Sequence, residues 1–277
     1  MPTPSRSVEQ CREMTSTSAA NGEAASRAKR VGRPLVAALF WVAVWQFAAW
    51  SVDKDFLLAS PWAVMTRLAE LAFTIDFWGT VGWSLARIAI GFVGAAVVGA
   101  LAAALAAASR MVDTLVSPLI STIRSAPVVS FIILLLLWTD TSKLSAIVAF
   151  LMVLPVMYAS VLEGIRHRDR SLLEAARVFR VPFASRVAAI DMPAVLPFFA
   201  AACRVGVGLA WKSGVAAEVI GVADGSIGER LYEAKLFLSS EDILAWTLVI
   251  VVLSVACESA VLRLLRRVPG RVERSAS

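Results

Sequence analysis

From residue 88 to residue 109 the chain runs for 22 residues without a charge. A helix needs about 20 predominantly apolar residues to cross the hydrocarbon of a bilayer. Spanning segments must also satisfy their own backbone hydrogen bonds, because no water is available there. Residues 34–52 and 144–162 are further uncharged runs of 19 residues each, the first rimmed by Trp41, Trp45 and Trp50. Three more segments extend the pattern. Residues 114–139 are apolar apart from Arg124, and their Pro118 and Pro127 are expected to break or kink a helix. Residues 198–220 hold Arg204, Lys212 and Glu218, and residues 243–262 hold only Glu258. With 58% hydrophobic and 17% charged residues, the chain departs in both directions from soluble domains, which carry roughly a quarter charged residues. The reading is an all-α integral membrane protein with six transmembrane helices.

Orientation follows from the basic residues, which are enriched in short cytoplasmic loops. With six crossings, the N-terminal tail, the loops after the second and fourth crossings and the C-terminal tail share one side. That side holds 19 Lys and Arg, counting Arg124 near the inner end of the third crossing, against six opposite (Lys54, Arg67, Arg87, Lys143, Arg230 and Lys235). Both termini are therefore expected in the cytoplasm. The net charge of +6 reads as topology, with lipid contact as a by-product, and not as a nucleic-acid surface. Residues 1–33 are Ser/Thr/Ala-rich and polar, an expected disordered tail; residues 34–267 form the membrane domain and 268–277 a second cytoplasmic tail. Cys11, Cys203 and Cys257 are too few and scattered for a disulfide scaffold, and a single histidine, His167, argues against a Cys/His metal site, so neither metal nor cofactor is expected.

Two features concern packing. Gly91, Ala95, Gly99, Ala103 and Ala107 put a small residue at every fourth position of the second crossing, along one helix face where another backbone can approach closely. Whether that neighbour is in the same chain or a second copy is open at this level, as is chance recurrence in an Ala-rich helix. Ser60-Pro61 suits a helix start, and residues 62–73 suggest an amphipathic helix at the outer interface, within a stretch (53–86) polar enough to stay outside the hydrocarbon.

The loop at residues 163–197 is too long for a simple connection and too basic to enter lipid. Ser171-Leu172-Leu173-Glu174 has a capping-box pattern, with Leu172, Leu173, Ala176 and Phe179 as one apolar stripe of a short helix. Val181-Pro182 interrupts it, and a second short helix over 183–190 ends before Pro193. Such a helix–break–helix is either a docking surface for a soluble partner or a loop folded back on the bundle.

The order Glu174-Ala175-Ala176, three residues, Arg180, nine residues, Ile190-Asp191-Met192-Pro193 resembles the cytoplasmic loop of permease subunits of bacterial binding-protein-dependent ABC importers. That pattern reads Glu-Ala-Ala, three positions, Gly, nine positions, Ile-x-Leu-Pro. Met192 replaces Leu at nearly constant volume. Arg180 stands where the pattern has Gly, which admits a left-handed turn; Arg180 is expected to need another way of turning, with Pro182 at hand. Leu58-Ala59-Ser60-Pro61, Arg124-Ser125-Ala126-Pro127, the run from Arg204 to Trp211, and Ala217-Glu218-Val219-Ile220-Gly221 are similar to the nitrate/sulfonate/taurine branch, and the likeness covers residues 31–267.

The resemblance implies a type I importer permease fold in the bacterial inner membrane. Glu174, Ala175, Ala176, Phe179, Arg180, Ile190 and Pro193 would then belong to coupling helices seated in a separate cytoplasmic ABC ATPase dimer. A second permease copy would complete the pathway as a homodimer, and an extracytoplasmic substrate-binding protein would deliver a small anionic solute. This chain contains no phosphate-binding Gly-x-x-x-x-Gly-Lys-Ser/Thr loop, so it is read as a transport component and not an enzyme. Alternating access requires two states separated by only a few kcal/mol.

Charged residues within spans are functional candidates because their burial is costly. Arg204 and Glu258 lie at similar depth with opposite sign, so they form an ion pair or else Arg204 lines the pathway. Lys212 faces either a water-filled pathway or a carbonyl partner, Glu218 either the pathway or outer water. Arg124 lines the pathway or snorkels to the interface. The alternative function is an ion-coupled secondary transporter acting without an ATPase, which favours embedded carboxylates and an inverted repeat; no convincing repeat is visible. An intramembrane enzyme has no His pair or Gly-x-Ser-x-Gly to work with.

Overall fold

A computed structural model of the chain describes residues 36–52 and 57–266, so both expected tails, 1–33 and 268–277, lie outside the described residues. Among these residues all regular elements are helical. The backbone divides into two compact units, one ending at Val64 and one beginning at Met65. In the first, α1 (Val36–Val52) is a short apolar helix, and the Trp45 indole N–H donates to the Ala59 carbonyl at 3.2 Å. There α2 (Pro61–Ala72) begins as its sequence suggests, with Pro61 in the first turn and the Ser60 hydroxyl accepting from the Ala63 N–H at 3.2 Å.

The second unit contains the remaining helices: α3 (Ile75–Ala108), α4 (Arg110–Ser125), α5 (Val128–Leu136), α6 (Thr141–Arg166), α7 (Arg170–Val178), α8 (Phe183–Arg186), a π-helical turn (Val187–Asp191), α9 (Met192–Gly221), α10 (Ile227–Leu236) and α11 (Ser240–Arg266). Its centre is α6, which packs along both α3 and α9. Ile88 and Ala95 of α3, Val153 and Met157 of α6, and Val207 and Trp211 of α9 make the middle of the buried cluster.

Lipid tails are as apolar as leucine, so close backbone packing has to supply what the hydrophobic effect does not. The small-residue stripe of α3 does this within the chain. A Cβ on Gly91 would fall on the Ala146 carbonyl oxygen, and one on Gly99 would lie 2.7 Å from Met157 Cβ. Gly91, Ala95, Gly99 and Ala103 are buried along this seam, whereas Ala107 is exposed beyond its end.

Four helices are long and apolar enough to cross a membrane: α3, α6, the continuous run Phe183–Gly221, and α11. The expected third crossing is two helices, α4 and α5, bent by 98° at their junction. Pro127 makes the break: Ala126 and Pro127 both take extended backbone, as a residue preceding proline and a residue lacking an N–H favour. Pro118, the other expected breaker, lies inside an unbroken α4. Six crossings were expected; the described residues provide four spanning helices, one broken pair and the shorter α1. Residues 75–86, read as polar enough to stay outside the hydrocarbon, are helical: they form the first three turns of α3, whose 34 residues reach about 51 Å at ~1.5 Å per residue, longer than a hydrocarbon core of about 30 Å.

Candidate functional site

The loop between α6 and α9 is built by local rules that differ in detail from its sequence reading. Asp169, not Ser171, caps α7: its Oδ1 accepts from the Ser171 N–H and hydroxyl, both at 2.8 Å. The Ser171–Glu174 capping box therefore does not form. Its C-terminus is a Schellman turn, in which the Arg180 N–H donates to the Arg177 carbonyl at 3.2 Å and the Val181 N–H to the Ala176 carbonyl at 2.9 Å. Arg180 itself takes the left-handed conformation, φ 53°. The expected need for another route around the missing glycine is thus corrected: the arginine adopts the glycine's backbone. A strained backbone conformation persists where surrounding bonds over-determine it.

The second short helix does not stop before Pro193. Phe183–Arg186 passes through the π-turn directly into α9. There the Met192 N–H reaches back five residues to the Val187 carbonyl, and this wider turn makes room for a proline ring that would otherwise press on the preceding turn. Ile190 and Pro193 lie in this junction. The expected stripe divides: Ala176 is buried and Leu173 half-buried, while Leu172 and Phe179 point outward. With Val178, Val181 and Phe183, the 80%-exposed Phe179 forms an apolar tip, and Glu174 and Ala175 are exposed beside it on α7.

Behind the tip, Arg168, Arg177, Arg180 and Arg186 line a cleft of about 460 Å³. Asp191 fastens this cleft to the bundle: its Oδ1 accepts from Arg168 Nη1 at 2.6 Å, and its Oδ2 lies 3.5 Å from Arg186 Nε. The sequence reading missed this pairing. Asp191 occupies the unspecified position of the Ile-x-Leu-Pro pattern, so nothing but the fold marks it.

The membrane charges separate into three situations. Arg204 Nε lies 3.1 Å from Glu258 Oε1, the ion pair expected from their matched depth. Lys212 and Arg124 are exposed and have no hydrogen-bond or ion-pair partner among the described residues. Lys212 belongs to a stripe of α9 with Ala201, Val205 and Gly208, where a Cβ on Gly208 would meet nothing within 4 Å. The opposite face is tightly packed, with Gly206 against Val153 and Phe92 and Gly214 against Ile88. Arg124 sits in the last turn of α4, just before the 98° break, where a positive charge suits the helix C-terminus. Glu218 is a correction: it is fully buried and does not reach outer water. Its Oε2 accepts from Ser84 Oγ at 2.8 Å and from the Gly228 N–H at 3.4 Å.

A greasy helical bundle with a helix–turn–helix loop of this pattern is matched by one family profile, the binding-protein-dependent transport system inner membrane component, over residues 95–274. The chain belongs to this family. It is 28% identical over 229 residues, 82% of each chain, to a putative aliphatic sulfonates transport permease protein of Bacillus subtilis (strain 168). It is 30% identical over 205 residues, 72% of this chain and 76% of the relative, to a putative aliphatic sulfonates transport permease protein of Escherichia coli (strain K12). A nitrate import permease protein of Synechococcus elongatus is 29% identical over 208 residues, 70% and 73% of the two chains. The chain is thus a multi-pass permease component of an ABC importer in the plasma membrane. These relatives are transport permeases, and the reading as a secondary transporter working alone is not favoured.

Proposed function

We propose that the chain crosses the inner membrane six times, with α1 and the α4–α5 pair as two of the crossings and both termini cytoplasmic, so that residues 34–267 make one permease domain. Two copies form the pathway for a small anion. The open stripe of α9 carries this reading: an unpartnered Lys212 beside Val205 and Gly208 is costly against lipid and favourable against a water-filled, anion-conducting space. The relatives named for aliphatic sulfonates and nitrate are named for anions, which supports the same chemistry. Arg124 at the α4–α5 break adds a second positive charge to the pathway, and Arg204 contributes with its charge balanced by Glu258. An extracytoplasmic binding protein supplies the solute.

Energy enters through the loop. Glu174, Ala175, Ala176, Phe179, Arg180, Ile190 and Pro193 form the surface that seats in a cytoplasmic ABC ATPase dimer; the exposed tip at Phe179 and Phe183 is the apolar part of that contact. Nucleotide-driven closure of the ATPase pair shifts this surface, and α9, continuous with it, carries the shift into the pathway. Glu174→Lys reverses the charge of an exposed loop residue without touching the buried core. The purified complex is expected to lose ATPase subunits and transport-coupled ATP hydrolysis while the permease stays inserted. Unchanged stoichiometry together with unchanged hydrolysis refutes the docking role.

A further inference from the structure

The outer end of α9 is tied to α10 through one buried carboxylate. The Ile227 and Gly228 N–H groups open the first turn of α10, where no intrahelical acceptor exists. Gly228 donates to Glu218 Oε2 directly. The Ile227 N–H donates to Ser84 Oγ at 2.9 Å, and that hydroxyl in turn donates a hydrogen bond to the same Oε2. The third donor, the Glu229 N–H, is taken by Ser226 Oγ at 3.0 Å. Glu218 thus terminates a helix that follows it by nine residues, and a carboxylate suits a helix N-terminus.

The main chain closes the same joint. The Glu218 carbonyl accepts from the Val222 N–H and, at 3.1 Å, from the Ala223 N–H. Val222 holds φ 47°, a conformation that a β-branched residue keeps only where its surroundings impose it. A Cβ on Gly228 would fall on the Glu218 backbone and Cβ, so the start of α10 rests directly on α9. Ser145 of α6 is fully buried too, its Oγ and Glu218 Oε1 have no hydrogen-bond partner among the described residues, and Arg87 Nη2 of α3 donates to the Asp224 carbonyl at 3.4 Å. At the inner end of the same helix, Asp191 is held between Arg168 and Arg186.

We propose that Glu218 is a positioning residue that locks α10 to α9 as one rigid strut, through which contact of the binding protein with the outer surface is carried to the ATPase-coupling loop. This rests on the preceding reading that α10 lies outside and the loop inside. A flexible α9–α10 elbow would absorb the outer contact, whereas a locked one transmits it.

The test uses the permease–ATPase complex in nanodiscs, with ATP hydrolysis measured with and without substrate-loaded binding protein, alongside hydrogen exchange of the α10 amides. Glu218→Ala is expected to leave basal hydrolysis unchanged, to lower stimulation by the binding protein about tenfold, and to speed exchange at Ile227 and Gly228. Glu218→Gln keeps one acceptor oxygen and is expected to retain most of the stimulation. Ser84→Ala removes the relay with almost no change in volume; it decides the matter if Glu218→Ala does not assemble, and should lower stimulation and free the Ile227 amide. Unaltered stimulation in assembled variants, or basal and stimulated rates falling together, overturns the proposal. Absence of stimulation in the wild-type complex refutes the importer topology instead, while the exchange data still report on the lock.

Discussion

Arg180→Gly restores the residue that the loop pattern has at this position, and its effect follows from the backbone alone. In the left-handed region a non-glycine residue carries a penalty of roughly 1–2 kcal/mol, and Arg180 carries it at φ 53°. Glycine escapes that penalty but gives up roughly 0.5–1 kcal/mol of backbone entropy on folding. The balance favours glycine by about 0.5–1 kcal/mol, or roughly two- to fivefold in the equilibrium between closed and open turn. The Arg180 and Val181 amides, which donate to Arg177 and Ala176, report that equilibrium. Hydrogen exchange at Val181 in the purified permease should slow by about that factor. Arg180→Ala, which keeps the strained backbone and removes only the guanidinium, should not slow it. Faster exchange in the glycine variant, or equal slowing in both, refutes the reasoning, because the side chain and not the backbone would then set the stability of the turn.

Three further expectations are accessible. Gly91→Ala drives a methyl into the Ala146 carbonyl of α6, whereas Gly79→Ala meets nothing within 4 Å. The first should cost about 1–3 kcal/mol, read as a lower thermal unfolding midpoint, and the second nothing of that kind; equal midpoints sink the backbone-contact account of the α3–α6 seam. Lys212→Met should lower anion uptake in reconstituted complexes without altering assembly, and undiminished uptake would place Lys212 outside the pathway. Finally, hydrogen bonds from the Ser171 hydroxyl and then its N–H hold the Asp169 carboxyl below the usual carboxylate range. Because the folded-state value is depressed, the cap's contribution is present above the ordinary Asp value, about pH 4, and is lost as pH falls through the folded value. Exchange at the Ser171 amide should show that acid dependence in the wild type and not in Asp169→Asn.

The chain's class was legible residue by residue. Uncharged runs mark α3 and α6, and a run interrupted only by Glu258 marks α11, because an unpaired charge in hydrocarbon is costly, and the loop spacing from Glu174 to Pro193 matches the pattern of the family to which the chain belongs. The Arg204–Glu258 pair was legible too, since two opposite charges at one depth have few other partners. What the sequence concealed depended on residues far apart along it. Glu218 looks close to water by position, yet α3 and α10 enclose it, with Ser84 134 residues away. Asp191 occupies a variable position and gains its meaning only when Arg168, 23 residues earlier, folds back onto it.

Local chemistry alone thus determined which segments are apolar enough to cross a bilayer, where Ser60-Pro61 starts a helix and where Pro127 breaks one, since burial cost and backbone sterics act on each segment whatever surrounds it. The tertiary structure decided which neighbour the small-residue stripe of α3 meets, which face of α9 stays open around Lys212, and that Ser84 and Gly228 close on Glu218. Those outcomes depend on packing between segments, and packing is settled only when the helices have come together.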